Sequence, residues 1–339
     1  MFPIHYKAVE LPAYNANTLR ALLGLHVVNK SVDAPKAGQL LLHMLAAPCN
    51  PSDIAFMQGN YNVVKSLPAV PGFEGAGIVI AAGEGVDGKF WIGKRVSCFA
   101  QDDQDGTWAE YFIAKPQQLI IVDERLTTEQ AACFFINPFT AWGLFDEVLK
   151  KKSKAILINA GGSRVAEFFF ALAKRNQIQC IATVRKNETA LSLKQNEVGE
   201  VLFSGMDDFD GQLQKSIRAM GVSLVFDAVA GDMTGLIANS LPSGAEIIVY
   251  GGLSGKGLSG INPLQLIFKD LTIRGFNLNQ WFSERSDKQI NEVSASLAAM
   301  IITGEVANPI GIQVGITEIA QGLKHYLGSM SKGKMLIKF

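Results

Sequence analysis

Apolar positions follow two patterns along this chain. Up to about Asp123 they form short alternating or apolar runs, such as Gln39 to Ala46, Gly77 to Ala82 and Arg95 to Phe99, broken by Gly, Pro and Asn. Such punctuation predicts a mostly β domain. From Leu126 to Leu149 the spacing turns helical: Thr127-Thr128-Glu129-Gln130 reads as a capped start, Asn137-Pro138 as a break, and Thr140 as a cap for the second helix. Beyond it, strand patterns at Ala155 to Ile158, Cys180 to Val184, Val201 to Phe203, Ser223 to Asp227, Glu246 to Tyr250 and Leu271 to Phe276 alternate with helical ones, among them Phe209 to Met220. Six strands with helical crossovers predict a doubly wound parallel sheet. Ser283 to Thr303 reads as one long amphipathic helix, and Gly304 onward returns to the first domain.

The stretch from Ala155 to Lys174 is the centre of this pattern. Four apolar residues suit a strand buried on both faces, Gly161-Gly162 suits a tight turn, and a helical segment follows. A helix N-terminus offers unpaired N–H groups and partial positive charge, and glycines let a diphosphate approach, so the predicted guest is a dinucleotide. Ser163 stands where the G-x-G-x-x-G/A pattern has its second glycine, and Ala166 takes the close-packing position. The second strand ends in Arg185 and Lys186. A basic residue there accommodates the extra phosphate of NADP where an acidic one would bond the ribose of NAD, so the predicted cofactor is NADPH. Ligands of such sheets lie at the carboxyl ends of the strands, so Ala228 to Ala230, Tyr250-Gly251-Gly252-Leu253 and Phe276-Asn277-Leu278-Asn279 are expected to rim it. Gly251 and Gly252 either admit the ligand or only turn the chain.

The 339 residues suit two domains. A hydrophobic share of 48%, a charged share of 18% and 33 glycines fit a compact α/β protein, not a disordered one. Zero net charge gives no support to a nucleic-acid partner, and Lys150 to Lys154, the longest basic run, reads as a solvated helix end. Met1 to Leu11 lacks a signal-peptide core and no apolar run reaches membrane-spanning length, so the expectation is a soluble, cytoplasmic protein without a membrane partner. Cys49, Cys98, Cys133 and Cys180 are scattered singly and read as buried thiols, while His5, His26, His43 and His325 have no metal-ligand spacing.

Four motifs narrow the reading. Ala47 to Ile54 (APCNPSDI), Gln58-Gly59-Asn60-Tyr61, Pro71 to Gly77 (PGFEGAG) and Gly106 to Tyr111 (GTWAEY) resemble, in that order, the catalytic domain of medium-chain dehydrogenases/reductases, and the likeness runs to the tail Lys332 to Phe339. The resemblance implies a GroES-like, mostly β catalytic domain at 1–125 and 304–339 and a Rossmann domain at 126–303. The zinc enzymes of that superfamily have Cys at the position of Asn50 and His at that of Phe73, and neither replacement can ligate zinc. The expectation is a metal-free enzyme, like the quinone oxidoreductases and enoyl-thioester reductases.

In that branch the tyrosine of the Gly-x-Tyr segment is the proposed proton donor, which points to Tyr61. A phenol there can protonate the enolate left by hydride addition, or it can serve only to pack. The segment Asn137-Pro138-Phe139-Thr140-Ala141 resembles the branch's hinge, which puts Asn137 and Thr140 beside the nicotinamide, and Lys334 matches a lysine that reaches the cofactor. Trp281 and Phe282 either contact substrate or pack at an interface. The resemblance further implies a homodimer built on the sixth-strand edge. The predicted activity is NADPH-dependent hydride transfer to a quinone, an enone or an enoyl thioester. The other reading is an NADPH-binding sensor or crystallin-like protein, suggested by Arg164 and Glu167 where small or neutral residues are usual.

Overall fold

The run LLLHMLAAPC forms the strand Leu40–Cys49, and eight of its ten side chains are buried because sheet neighbours and core cover both of its faces. The computed structural model describes residues 2–307, 309–329 and 333–339. It divides into two compact units, 1–136 with 291–339, and 137–290.

The first unit carries a seven-stranded sheet in the order Ile310–Gly315, Lys334–Lys338, Leu40–Cys49, Glu74–Ala82, Arg95–Phe99, Leu119–Ile121, with Tyr111–Ala114 also paired to Leu40–Cys49. Ile4–Glu10 and His26–Val32 form a separate antiparallel pair. The strand Lys334–Lys338 lies antiparallel to Leu40–Cys49 with Leu336 opposite Pro48, so the late segment is built into the middle of the sheet. Trp108, Phe56 and Phe73 are fully buried in this unit's core. Each such side chain contributes about 1.5–3 kcal/mol by leaving water.

The second unit is the expected doubly wound sheet. Its six strands are all parallel, in the order Glu200–Phe203, Gln179–Val184, Ala155–Ile158, Leu224–Asp227, Glu246–Val249, Thr272–Gly275. The chain reverses direction of winding between the first strand, Ala155–Ile158, and the fourth, Leu224–Asp227, and the ligand crevice of such a sheet opens at that point. The helix Arg164–Arg175 buries Phe168, Phe169 and Leu172 on the sheet and carries Lys174 and Arg175 in its last turn, where they face the carbonyl end of the helix dipole.

Three readings from sequence are corrected. Asn137-Pro138 does not separate two helices: the helix Ile136–Lys151 runs through it, and the break comes earlier, after Thr128–Ala132. Pro138 is tolerated because first-turn amides need no acceptor within the helix, and Thr140 is consequently interior to the helix and not its cap. The long helix expected over Ser283 to Thr303 is two helices, Leu278–Ser283 and Asp287–Ile302. Ser286 starts the second by reciprocal bonding with Gln289, a capping box. Of the tail, Lys332 lies outside the described residues, while Lys334 is buried in the strand Lys334–Lys338. No described helix is long and apolar enough to cross a membrane.

Candidate functional site

The turn after Ala155–Ile158 is shaped by Ala160, which adopts φ +50°, while Gly161 and Gly162 keep negative φ. The glycines are needed for space. A Cβ on Gly161 would lie 3.0 Å from the Ala182 methyl and 3.3 Å from Val184, and one on Gly162 would lie 2.8 Å from the Thr189 methyl. The turn thus rests on the second strand, where Gly161 donates to the Thr183 carbonyl at 3.0 Å. Ser163 caps the following helix, its Oγ accepting from Ala166 N at 3.2 Å. The amides of Gly162, Arg164 and Val165 have no acceptor among the described residues. They form a small cluster of donors at a helix N-terminus. Arg164 and Glu167 are ion-paired, so the acidic departure carries no net charge against an anion.

The strand ends differ in what they offer. Arg185 and Lys186 follow Val184, are exposed, and have no carboxylate partner among the described residues. The Tyr250 hydroxyl is buried and turned toward Ser163 without a hydrogen bond of ordinary geometry, and burial pushes its pKa up. Gly251 packs its backbone on Ala228, whereas Gly252 faces open space and Leu253 is exposed. The amides of Ala228 to Ala230 are already taken: Asn159 Oδ1 accepts from Ala228, and Asp227 Oδ1 accepts from Val229 and Ala230. Asn159 donates to Asp227 at 2.5 Å and Thr234 bonds the other Asp227 oxygen, a buried network that makes the first and fourth strand ends rigid. Asn277 caps the helix Leu278–Ser283 through Asn279 and Gln280, and Phe276 packs over Gly143. On the helix Ile136–Lys151, Asn137 is 8% exposed and its Nδ2 lacks a hydrogen-bond partner, and Thr140 is buried one turn on. Trp281 is fixed inside this unit, donating to Asp146 at 2.8 Å beneath the Arg285 guanidinium, and Phe282 packs at a tilt against Phe139.

In the first unit the positions matched to zinc ligands belong to a buried polar cluster. Asn50 N donates to Asp53 Oδ2 at 2.7 Å, Asn50 Nδ2 to Glu74 Oε2 at 3.0 Å, and Lys334 Nζ to Asn50 Oδ1. Phe73 N donates to Asp53 Oδ1, and the amides of Phe135 and Ile136 both donate to Glu74 Oε1 at 2.7 Å. Burial pushes the Asp53 carboxyl up to about 7 against the opposing pull of the Asn50 amide and the Lys334 charge, and raises Glu74 likewise. Among the described residues no three His, Cys, Asp or Glu side chains are grouped to hold a metal ion.

Tyr61 lies in the same unit with its ring stacked on Phe73, centroids 5.2 Å apart. Gln101 Nε2 donates to its hydroxyl at 2.7 Å. An oxygen that accepts from Gln101 keeps its own proton to give elsewhere, while burial raises the hydroxyl's pKa.

Two family models match the chain: the alcohol dehydrogenase GroES-like domain over residues 36–124 and the zinc-binding dehydrogenase over 165–295. The mitochondrial enoyl-[acyl-carrier-protein] reductase of Dictyostelium discoideum is 30% identical over 284 residues, covering 82% of this chain and 80% of its own length. Its Caenorhabditis elegans counterpart is 29% identical over 311 residues, covering 90% and 88%. A candidate NADPH:quinone reductase from Mesorhizobium loti superposes over 100% of both chains with a TM-score of 0.91 and 28% identity. The chain belongs to the medium-chain dehydrogenase/reductase superfamily, in its zinc-independent branch. As a medium-chain reductase it takes a nicotinamide cofactor. The residues present fit one: unpaired turn amides for the diphosphate, unpaired cations at the second strand end, and orphaned buried polar atoms on Asn137 and Tyr250. Lys334, expected at that cofactor, bonds Asn50 inside the first unit.

The structure of this medium-chain reductase also brings in groups that sequence reasoning passed over. Asn159, Asp227 and Thr234 support the turn, and Gln101 holds Tyr61. The alternation of apolar strand and polar strand end marked Asn159 and Asp227, but nothing near Gln101 in sequence announced its partner forty residues away.

Proposed function

We propose that this medium-chain reductase is an NADPH-dependent enzyme that transfers hydride to the activated C=C of an enoyl thioester or enone, or to a quinone. The observation that carries the reading is Arg185, an unpaired guanidinium at the end of the second strand, next to a turn whose amides are also unpaired. That pair of features suits a dinucleotide with an additional phosphate. When bound, the reduced nicotinamide supplies the hydride. The turn amides hold the diphosphate, Arg185 and Lys186 select the phosphorylated ribose, and Asn137 and Thr140 orient the ring. Tyr61, its hydroxyl set by Gln101, gives the proton that completes reduction.

The relatives named as enoyl-[acyl-carrier-protein] reductases support the C=C acceptor, and the Mesorhizobium loti protein supports the quinone. NADPH oxidation measured with a crotonyl thioester and with a benzoquinone tests the reading. Turnover of at least one acceptor, with NADPH preferred to NADH, is expected; tight NADPH binding without reduction of either would favour a sensor or crystallin-like role. A homodimer is part of the proposal, since Leu264, Ile267 and Phe268 are 55%, 68% and 78% exposed beside the edge strand Thr272–Gly275. The proposed compartment is the cytoplasm, and fractionation of the native cells tests it against the mitochondrial names of the relatives.

A further inference from the structure

The loop between the helix Pro51–Met57 and the strand Glu74–Ala82 contains Lys65, which is only 3% exposed. Its ammonium nitrogen is buried and makes no hydrogen bond among the described residues. The backbone around it is fixed, because the Tyr14 hydroxyl accepts from Lys65 N at 2.9 Å and donates to the Lys65 carbonyl at 3.1 Å. The side chain runs over two aromatic faces, with Nζ 5.6 Å from the Phe56 centroid and 5.5 Å from that of Phe73. Tyr61 stacks on that same Phe73 ring.

Carboxylates close enough to act on Lys65 are Asp53 on the helix Pro51–Met57 and Asp102, Asp103 and Asp105 on the loop that carries Gln101. Each is bonded elsewhere. Asp53 accepts from Asn50 and Phe73, Asp102 from Gln104 and Gln118, Asp103 from Gln104, and Asp105 from Val70 and Lys30. Burial lowers the lysine's pKa against their combined pull. Two ring faces return only part of what an ammonium loses on leaving water. A positioned cation with spare N–H donors, packed on the same Phe73 ring as Tyr61, calls for an acceptor that the described residues do not supply.

We propose that Lys65 is a substrate-binding residue, its ammonium donating a hydrogen bond to the carbonyl oxygen of the acceptor molecule. This rests on the reductase reading. Enoyl thioesters, enones and quinones share a carbonyl conjugated to the carbon that receives hydride, and negative charge gathers on that oxygen as hydride adds. A cationic donor in a water-poor setting stabilises the developing charge more than the neutral carbonyl, so its effect falls on the rate. Lys65 takes the oxygen and Tyr61 the carbon that needs a proton.

The test compares Lys65→Met, which keeps the stem and removes the charge, with wild type on a crotonyl thioester and a benzoquinone. The expected result is a fall in kcat/KM of roughly 10–100-fold on the acceptor that wild type reduces. NADPH affinity, read by tryptophan quenching, is expected to stay within about twofold, and the unfolding midpoint not to fall, because a buried unpaired charge has been removed. Wild-type kcat/KM is expected to decline with a basic limb at lower pH than an ordinary lysine gives, one that Lys65→Met lacks, and Lys65→Arg should recover part of the lost rate. A Met variant with unchanged kcat/KM overturns the proposal and leaves Lys65 a packing residue. If that variant does not fold, the wild-type profile decides, and a kcat/KM with no basic limb below the ordinary lysine range overturns it. A wild type that reduces neither acceptor defeats the reductase reading itself, a different result from equal activity of both proteins.

Discussion

Lys334 donates to the side-chain oxygen of Asn50 across 284 positions of sequence, and both residues are at least 97% buried. Through Asn50 this one ammonium answers two interior carboxylates, Asp53 and Glu74. Lys334→Met should therefore cost about 3–5 kcal/mol of stability at neutral pH, because it leaves acids buried without their cation. Urea unfolding checks this, and part of the loss should be recovered at pH 5, where the Asp53 carboxyl, raised to about 7, goes neutral.

Asp53 gives the fold an unusual pH dependence of its own. Its folded pKa is about 7, against about 3.9 unfolded. Between those values the folded chain holds a proton that the unfolded chain has released. The slope of stability against pH is therefore negative, and this residue's contribution declines from about pH 4 to about pH 7 by an amount on the order of 4 kcal/mol. Asp53→Asn should be less damaging, relative to wild type, at pH 7 than at pH 5. A penalty independent of pH in that window would show that Asp53 is ionised throughout.

Cofactor choice is assigned to Arg185. Arg185→Ser should weaken NADPH binding by roughly 10–100-fold, the usual worth of hydrogen bonds to a charged group, and leave NADH binding within about twofold. Tryptophan quenching titrations with both nucleotides measure it. Equal losses for both would place the guanidinium on some other part of the cofactor.

Neighbouring glycines provide a sharp contrast. A Cβ at Gly251 would stand 2.9 Å from the Ala228 carbonyl oxygen, whereas one at Gly252 would meet nothing within 4 Å. Gly251→Ala should cost about 1–3 kcal/mol in unfolding experiments, and Gly252→Ala should stay within about 0.5 kcal/mol. If Gly252→Ala nonetheless weakens NADPH binding, the open space at that position belongs to the ligand.

The exposed apolar face of the helix Pro263–Lys269 predicts association. Phe268→Asp should shift the protein from twice the 36.6 kDa chain mass to that mass in sedimentation velocity. An unchanged sedimentation coefficient would remove this face from the interface.

The alternation of apolar strands and helices made the order of the parallel sheet readable, because a strand buried on both faces leaves a continuous apolar run such as AILI at Ala155–Ile158. The turn after that strand was legible for the same reason, although its left-handed residue proved to be Ala160 and not a glycine. Local rules failed where two signals competed. Asn-Pro looks like a helix break, yet the first turn of a helix has no use for the proline N–H, and Ser286 with Gln289 divides a stretch whose apolar spacing looks unbroken. Buried pairs remote in sequence left no trace at all: nothing around Lys65 or Gln101 hints at the rings and hydroxyl they face, since that proximity is made by the fold.

The sheet of the first unit has its strand Lys334–Lys338 between Ile310–Gly315 and Leu40–Cys49. During synthesis on the ribosome, everything up to Ile136 emerges long before Lys334, with Asp53 and Glu74 already made and the Lys334 ammonium still to come. For that interval the early β segments lack both the strand that pairs with Leu40–Cys49 and the cation that bonds Asn50, and they hold an open edge that another nascent chain can pair with. The second unit has no such debt, since all six of its strands are contiguous in sequence. Translation order therefore favours the nucleotide-binding unit as the part that folds first, and makes emergence of the strands Ile310–Gly315 and Lys334–Lys338 the step that commits the other.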